Sequence, residues 1–473
     1  MSKSKKRSKQ KAQQKLQAQQ PEKRSFQVGD ISMEELSGLR MLYSSNAPWS
    51  KSGYGVQGSS LLPRLAALMG GTHNVGIFAW YGLEGGIHVV DGFVCYPKMR
   101  HPYGNDVIGA HAKDFHANLV ISLIDVWVME DTAKKVAPAL WCPWLPIDHC
   151  PIPEKVLEAL EGAHTPLTYS KWGHALLEDA GVPNRYIAHG IEPAQYRVVE
   201  DWEESGERAD FVSGFFGIEQ ENPHISCMVA ANKGYPDRKA FQVNVRAWWH
   251  FAKDKPHAYL YIHTDPTTAL GGIDMPALCK NIGIPDERVI FPDRYQYGKG
   301  LPWQFMQQMY NSCNVLIGST MSEGFGIPII EAQACGLPVI VTDFSAMPEL
   351  VRWGSVVSPR DMIWTPMNSW QAWPDWEGVA EALEMAHQEW LDAGRTLPLD
   401  KRLMHSKLIH DEFGWDQLVA TQWYPFLKDI QPDLPPMECP PYIRAKPSSQ
   451  QGPGQPTEGP GAQMPAEKGK DTV

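Results

Sequence analysis

Short apolar runs alternate with longer amphipathic stretches along most of the chain, and this alternation predicts repeated βαβ units. Residues 39–44 read as a buried strand entering the turn Lys51-Ser52-Gly53-Tyr54-Gly55-Val56-Gln57, after which Leu61, Leu62, Leu65 and Leu68 mark one face of a helix. Residues 74–80, 118–124 and 140–147 read as further buried strands. Residues 165–170 precede a helix over 171–180 that Gly181 and Pro183 end. A second series has strands at 225–231, 257–263, 288–291, 314–317 and 338–342, with helices between. Such a pattern predicts parallel sheets covered by helices on both faces. The charged stretch 198–208 reads as a surface linker between the two series. Late in the chain, Phe413-Gly414-Trp415-Asp416 opens an amphipathic helix carrying Leu418, Trp423 and Phe426.

The ends break the pattern. Residues 1–36 are set apart as a basic tail, the first 24 being rich in Lys, Arg and Gln with almost no large apolar side chain. Such a tail is either simply solvated or a contact for anionic membrane or nucleic acid. Residues 431–473, rich in Pro, Gly, Gln and Ser, read as a disordered tail. A length of 473 residues suits two cores: an N-terminal domain over 37–205, completed by the helix 414–430, and a C-terminal domain over 206–413.

Net charge changes the picture of partners. At −11 the chain is a poor general binder of nucleic acid. Its eight cysteines show no C-x-x-C pair or metal-ligand spacing, which suggests reduced thiols and a cytoplasmic or membrane-peripheral setting. No signal peptide and no transmembrane run is read. The 18 tryptophans suit stacking and core roles alike.

The chemistry concentrates in Ser322-Glu323-Gly324-Phe325-Gly326-Ile327-Pro328-Ile329-Ile330-Glu331-Ala332, followed by Cys335-Gly336-Leu337-Pro338-Val339. Two carboxylates flank a glycine-rich turn that runs into a helix, with Pro328 suited to the first helical turn. Free N–H groups at that start, including those of Phe325, Gly326 and Ile327, make a seat for an anion such as a diphosphate. Glu323 precedes the helix and Glu331 lies within it, so the two acids can reach different hydroxyl-rich parts of one ligand. A second constellation, Asn232-Lys233-Gly234-Tyr235-Pro236-Asp237-Arg238-Lys239, brings cations to the end of a strand, where a leaving diphosphate would need them.

This block resembles the Glu-x7-Glu motif of family 4 glycosyltransferases, and the likeness extends over residues 38–430 through three ordered motifs. The resemblance implies a GT-B architecture: α/β, two Rossmann-like doubly wound domains facing a central cleft. It also implies retaining transfer of a sugar from a UDP-, GDP- or ADP-linked donor to an acceptor that is a glycan, lipid, protein or modified nucleic acid. By the same resemblance Glu323, Lys239 and Asp125 are the catalytic candidates. Glu331 would bind the ribose; Gly324, Phe325, Gly326, Ile327, Arg238, Lys233, Asn232 and Arg294 would hold the rest of the donor. Gly53 and Gly55 would approach the donor phosphate from the other domain, with Tyr54, Asp148 and His149 on the acceptor side. The family's phosphate-binding Gly-Arg is replaced here by Ala231-Asn232-Lys233, which leaves Lys233 or Arg238 to supply the arginine's role. No Asp-x-Asp stands at a convincing strand end, so neither a catalytic metal nor a cofactor is expected. A nucleotide-sugar epimerase of the same fold and a noncatalytic nucleotide-sugar-binding protein are the competing readings.

Overall fold

The computed structural model describes residues 25–436. The segments 1–24 and 437–473, which hold most of both tails, lie outside the described residues. Residues 25–36, assigned above to the basic tail, are instead largely structured. There β1 (Ser25–Val28) and β2 (Ile31–Glu34) form an antiparallel hairpin in which Phe26 faces Met33 and Val28 faces Ile31. The period-two spacing of these apolar residues is the physical reason, and Met33 is buried in the core of the first half.

The first half is built on an eight-stranded sheet. Its strands are β3 (Met41–Asn46), β4 (Val75–Tyr81), β5 (His88–Val90), β6 (Phe93–Pro97), β7 (Leu119–Leu123), β8 (Leu140–Leu145), β9 (Leu167–Thr168) and β10 (Arg185–Tyr186), in the order β10-β9-β8-β7-β3-β4-β6-β5. All neighbours run parallel except β5 and β6. The second half holds six parallel strands: β11 (His224–Val229), β12 (Ala258–His263), β13 (Val289–Ile290), β14 (Val315–Ile317), β15 (Val339–Thr342) and β16 (Gly354–Val357), ordered β13-β12-β11-β14-β15-β16. β17 (Asp361–Thr365) and β18 (Ser369–Trp373) form a separate antiparallel hairpin. Central strands such as β3, β7 and β15 are buried at every position, the polar Ser44, Ser45, Asn46 and Ser122 included, as central strands are when helices cover both faces.

Five helices position the site. α1 (Gly53–Leu68) starts where the Ser52 hydroxyl accepts from the Gly55 N–H at 3.1 Å, and it buries Leu61, Leu62, Leu65 and Leu68. α2 (Lys171–Asp179) is capped in the same way by Ser170. α3 (Phe241–Ala252) follows the cationic loop, α4 (Ile327–Ala334) follows the glycine turn, and α5 (Leu399–Phe413) leads the chain back. After α5 the chain returns to the first half. Gly414 bridges to Ile191, the Trp423 ring packs 5.0 Å from Trp144, and Asp416 pairs with Arg64 at 2.7 Å.

The stretch 198–208 runs mostly exposed between the two halves, but two of its residues are sunk into the interior. Val198 and Trp202 are buried, the Trp202 N–H donates to Ser312 Oγ at 3.1 Å, and Arg208 donates to the Ser312 carbonyl at 3.0 Å. A tryptophan and an arginine that both find interior acceptors anchor the connection, despite the acidic residues around them.

Candidate active site

In a doubly wound sheet, ligands bind at the carboxyl ends of strands where the order reverses. That point lies between β3 and β7 in the first sheet and between β11 and β14 in the second. The loops leaving these strands carry Gly53, Tyr54 and Gly55, then Asp125, on one side. On the other they carry residues 230–239 and 319–326. Asp148 and His149 follow β8, the neighbour of β7.

These loops meet. Glu323 Oε1 accepts from Lys239 Nζ at 2.5 Å, and its Oε2 lies 3.5 Å from Arg238 Nη1. The same Arg238 nitrogen donates to the Ser322 carbonyl at 2.5 Å and lies 3.7 Å from Asp148 Oδ2, so one guanidinium spans both walls of the cleft. Asp148 is further held by His149 Nδ1 at 2.7 Å. Burial pushes the Glu323 carboxyl up, but the two cations outweigh it and hold the group below the ordinary range. Asp148 is likewise lowered on balance by His149 and Arg238 against its burial. Asp125 goes the other way: burial first, then the charge of Asp148, raises it to about 6, with Arg238 only partly opposing.

The glycine turn has tight steric requirements. A Cβ on Gly324 would lie 2.5 Å from the Pro146 Cβ and 3.0 Å from the Tyr169 ring, so the two halves approach to within contact at this residue. Gly326 has φ +113°, and a Cβ there would meet Ile329 Cδ1 at 2.7 Å. α4 begins directly after it with Pro328 in its first turn. A cavity of about 40 Å³ lies between this helix start and the ends of β11 and β14, lined by Lys239, Glu323, Gly326 and Pro328 among others. Gly53 lies against Ile327: a Cβ on this glycine would sit 3.5 Å from Ile327 Cδ1, so the start of α1 approaches the start of α4.

Glu331 lies in the second turn of α4 and is buried. Its Oε2 accepts from Tyr310 at 3.0 Å, and Tyr196 also hydrogen-bonds to it. Burial raises it to about 7, the two tyrosines holding it lower than burial alone would. Tyr196 and Tyr310 carry no motif that sequence reading would single out. Nor do Trp144 and Tyr169, which join His189 and Phe325 in an aromatic cluster. The His189 ring lies 4.1 Å from Tyr169, 4.4 Å from Trp144 and 5.4 Å from Phe325, and burial lowers it to about 3. The Tyr54 and Tyr169 hydroxyls are 3.2 Å apart above it. The signal that could have found Tyr169 is positional: it stands one residue before the cap of α2, just past the end of β9.

Three donor candidates stand apart from this cluster. The Asn232 side chain is committed to the backbone, donating to the carbonyls of Asp265, Thr267 and Ile273 and accepting from the Ile273 N–H. It pins the loop 265–273 rather than facing the cleft. Lys233 is exposed, and its main chain bridges to Gly271 of the same loop. Arg294 lies 3.5 Å from Asp265 on the rim. Of the two cations considered for the arginine's role, Arg238 is the one beside Glu323.

Comparison with known proteins bears on this geometry. Residues 226–373 match the family glycosyl transferases group 1. That stretch contains Lys239, Glu323 and Glu331. The chain is 30% identical over 89 residues to the O-antigen chain mannosyltransferase B of Escherichia coli, covering 18% of this chain and 23% of that protein. It is 33% identical over 113 residues to the D-inositol 3-phosphate glycosyltransferase of Streptomyces bingchenggensis, covering 24% of this chain and 21% of that one. The matched stretches thus span less than a quarter of these curated relatives. Among solved structures, sucrose-phosphate synthase from Thermosynechococcus elongatus superimposes with a TM-score of 0.63 at 16% identity, covering 83% of this chain and 100% of that one. Anabaena HepE in complex with UDP-glucose gives 0.58 at 13%, covering 83% and 99%. The fold is GT-B, with two Rossmann-like domains.

Among the described residues, no helix is long and apolar enough to cross a membrane, and no group of three or more His, Cys, Asp and Glu is arranged to hold a metal ion. The seven described cysteines are free.

Proposed function

We propose that this chain is a retaining glycosyltransferase of the family 4 type, moving a sugar from a nucleoside-diphosphate donor to a hydroxyl acceptor in the cytoplasm. The observation that carries the reading is Glu323 held between Lys239 and Arg238 at the start of α4, across the cleft from Asp125 and Asp148. The diphosphate takes the two cations and the N–H groups at Gly326 and Ile327, so its charge is balanced by protein groups without a metal. Glu323, released from Lys239, accepts hydroxyls of the donor sugar, and Glu331 accepts those of the ribose. The acceptor oxygen bonds to the anomeric carbon on the face from which the phosphate oxygen departs. The anomeric C–O(phosphate) bond breaks with its electron pair leaving on the diphosphate, which takes the acceptor's proton. Asp125 hydrogen-bonds the transferred sugar or the incoming hydroxyl. Contact of the halves at Gly324 excludes water and limits hydrolysis.

The test is thermal-shift titration with UDP, GDP and ADP, repeated on Glu331→Ala, followed by transfer from the matching radiolabelled donor. One nucleotide at about 100 times its Kd should stabilise the protein by about 2.7 kcal/mol, and the variant should lose that shift. Absence of any shift in the unmutated protein would sink the donor assignment.

A further inference from the structure

Between β16 and the helix that begins at Trp376, the chain inserts the β17–β18 hairpin. Its two faces differ. The inner face carries Ser369, whose hydroxyl donates to the Pro151 carbonyl, and Gln371, which donates to Ser322 Oγ at 2.6 Å. Ile363 and Trp373 on that face pack against Ala240, Val243 and Met321. The outer face carries Trp364 directly opposite Trp370. Their rings are 4.9 Å apart at 72°, and they are 51% and 41% exposed.

The hairpin also bridges the two walls of the cleft. Trp370 exchanges both backbone hydrogen bonds with Cys150 of the first half, each at 3.2 Å, and the Ala372 N–H donates to the Met321 carbonyl at 3.1 Å. Cys150 stands two residues past Asp148, and Met321 two residues before Glu323. One strand thus joins both walls beside the charged cluster, with a paired indole surface turned outward.

We propose that Trp364 and Trp370 form a noncatalytic carbohydrate subsite that holds an outer sugar of the acceptor at the cleft mouth. The ligand class rests on the transferase reading; the surface itself rests on the hairpin. The negative π-face of an indole attracts the C–H face of a pyranose ring. Neither indole N–H has a partner among the described residues, which leaves both to serve sugar hydroxyls. Residues 361–373 contain no Lys or Arg, the groups that would draw an anionic lipid surface.

Intrinsic fluorescence of the full chain titrated with mannohexaose, maltohexaose and chitohexaose tests this, alongside UDP, GDP and ADP thermal shifts as separate measurements. Saturable quenching by at least one hexasaccharide is expected. It should be weakened about tenfold or more in Trp364→Ala and less in Trp364→Tyr, with the nucleotide shift unchanged in both. No binding by any of the three at about 10 mM, or equal binding by Trp364→Ala, overturns the subsite. So does Trp364-dependent binding to phosphatidylcholine–phosphatidylglycerol vesicles without hexasaccharide binding, which would make the hairpin a membrane contact. Failure of every nucleotide with Trp364-dependent hexasaccharide binding intact would overturn the transferase reading while leaving the subsite standing.

Discussion

The wall of the cleft in the second half balances its charges locally: Glu323 lies between Lys239 and Arg238, and the start of α4 adds unpaired N–H groups. The wall in the first half sets Asp125 near Asp148 and relies on Arg238 from across the cleft and His149 alongside. The consequence is visible in the carboxyls. Glu323 is lowered, whereas Asp125 is raised to about 6. A balanced wall acts by exchanging partners when an anionic ligand arrives; an unbalanced one can hold a proton near neutrality.

The largest effect should come from breaking the balanced wall. Lys239→Ala removes the cation at 2.5 Å from Glu323 and one of the two groups assigned to the diphosphate. Steady-state transfer with labelled donor should fall by about 10²–10³ in kcat. Asp148→Asn, on the other wall, should cost less than about tenfold in the same assay. A greater loss from Asp148→Asn would reverse the comparison.

Glu331 sharpens it from a different direction, because it is a buried acid of the second half that no cation balances. Its folded value of about 7 lies above the ordinary 4.5, so the folded state binds more protons than the unfolded state between those two pH values. Its stability contribution is therefore complete below about pH 4.5 and is lost as pH rises through about 7. Glu331→Gln can still accept from Tyr310 and Tyr196 but never ionises. It should raise stability by about 2–3 kcal/mol at pH 8 while changing little at pH 4, and should weaken nucleotide binding at both. Urea denaturation at the two pH values, with and without UDP, measures this. Equal effects at both would mean that burial does not suppress Glu331 ionisation.

How much of each wall was legible follows from how it is assembled. The wall in the second half lies largely in one contiguous block, because its strand, tight turn and helix start follow one another in sequence. Glu323, Gly324, Gly326, Pro328 and Glu331 could therefore be read together, and Lys239 and Arg238 join them from one preceding loop. The strand positions were legible for the same local reason: short runs rich in apolar residues mark β3, β7, β11 and β15 to within a residue or two. The wall in the first half gathers Tyr54, Asp125, Asp148, Tyr169 and His189 from the ends of separate strands, and no spacing links them. Tertiary placement alone makes them neighbours. Asn232 misled because a polar residue beside cations looks like a ligand-binding group until the backbone of residues 265–273 is seen to take every bond its amide can make. The hairpin of residues 25–34 was hidden by the basic composition before it. The β17–β18 hairpin interrupts the alternation with a short irregular run that carries no helix signal.

Gly324 is one of the places where the two walls touch, so it tests whether their separation matters. Gly324→Ala places a methyl 2.5 Å from Pro146, which either pushes the halves apart or strains the turn, at a cost of about 1–2 kcal/mol. Transfer should fall, while UDP binding by the second half persists. Small-angle scattering of the variant should show an increased radius of gyration. An unchanged radius with full activity would mean that Pro146 yields and contact at this point is not needed.

The smallest effect concerns the unbalanced wall alone. In Asp148→Asn the like charge that contributes to raising Asp125 is gone, but burial, the larger cause, remains. On the proposed role of Asp125, the acid limb of transfer should therefore move down by less than about one unit rather than return to the ordinary carboxylate range. Arg238, released from Asp148, adds to the same direction if it turns toward Asp125. A limb that stays in place would assign the titration to another group. One that moves up would mean that Asp148 acts chiefly by holding Arg238 over the cleft, and that the two walls depend on each other through that one guanidinium.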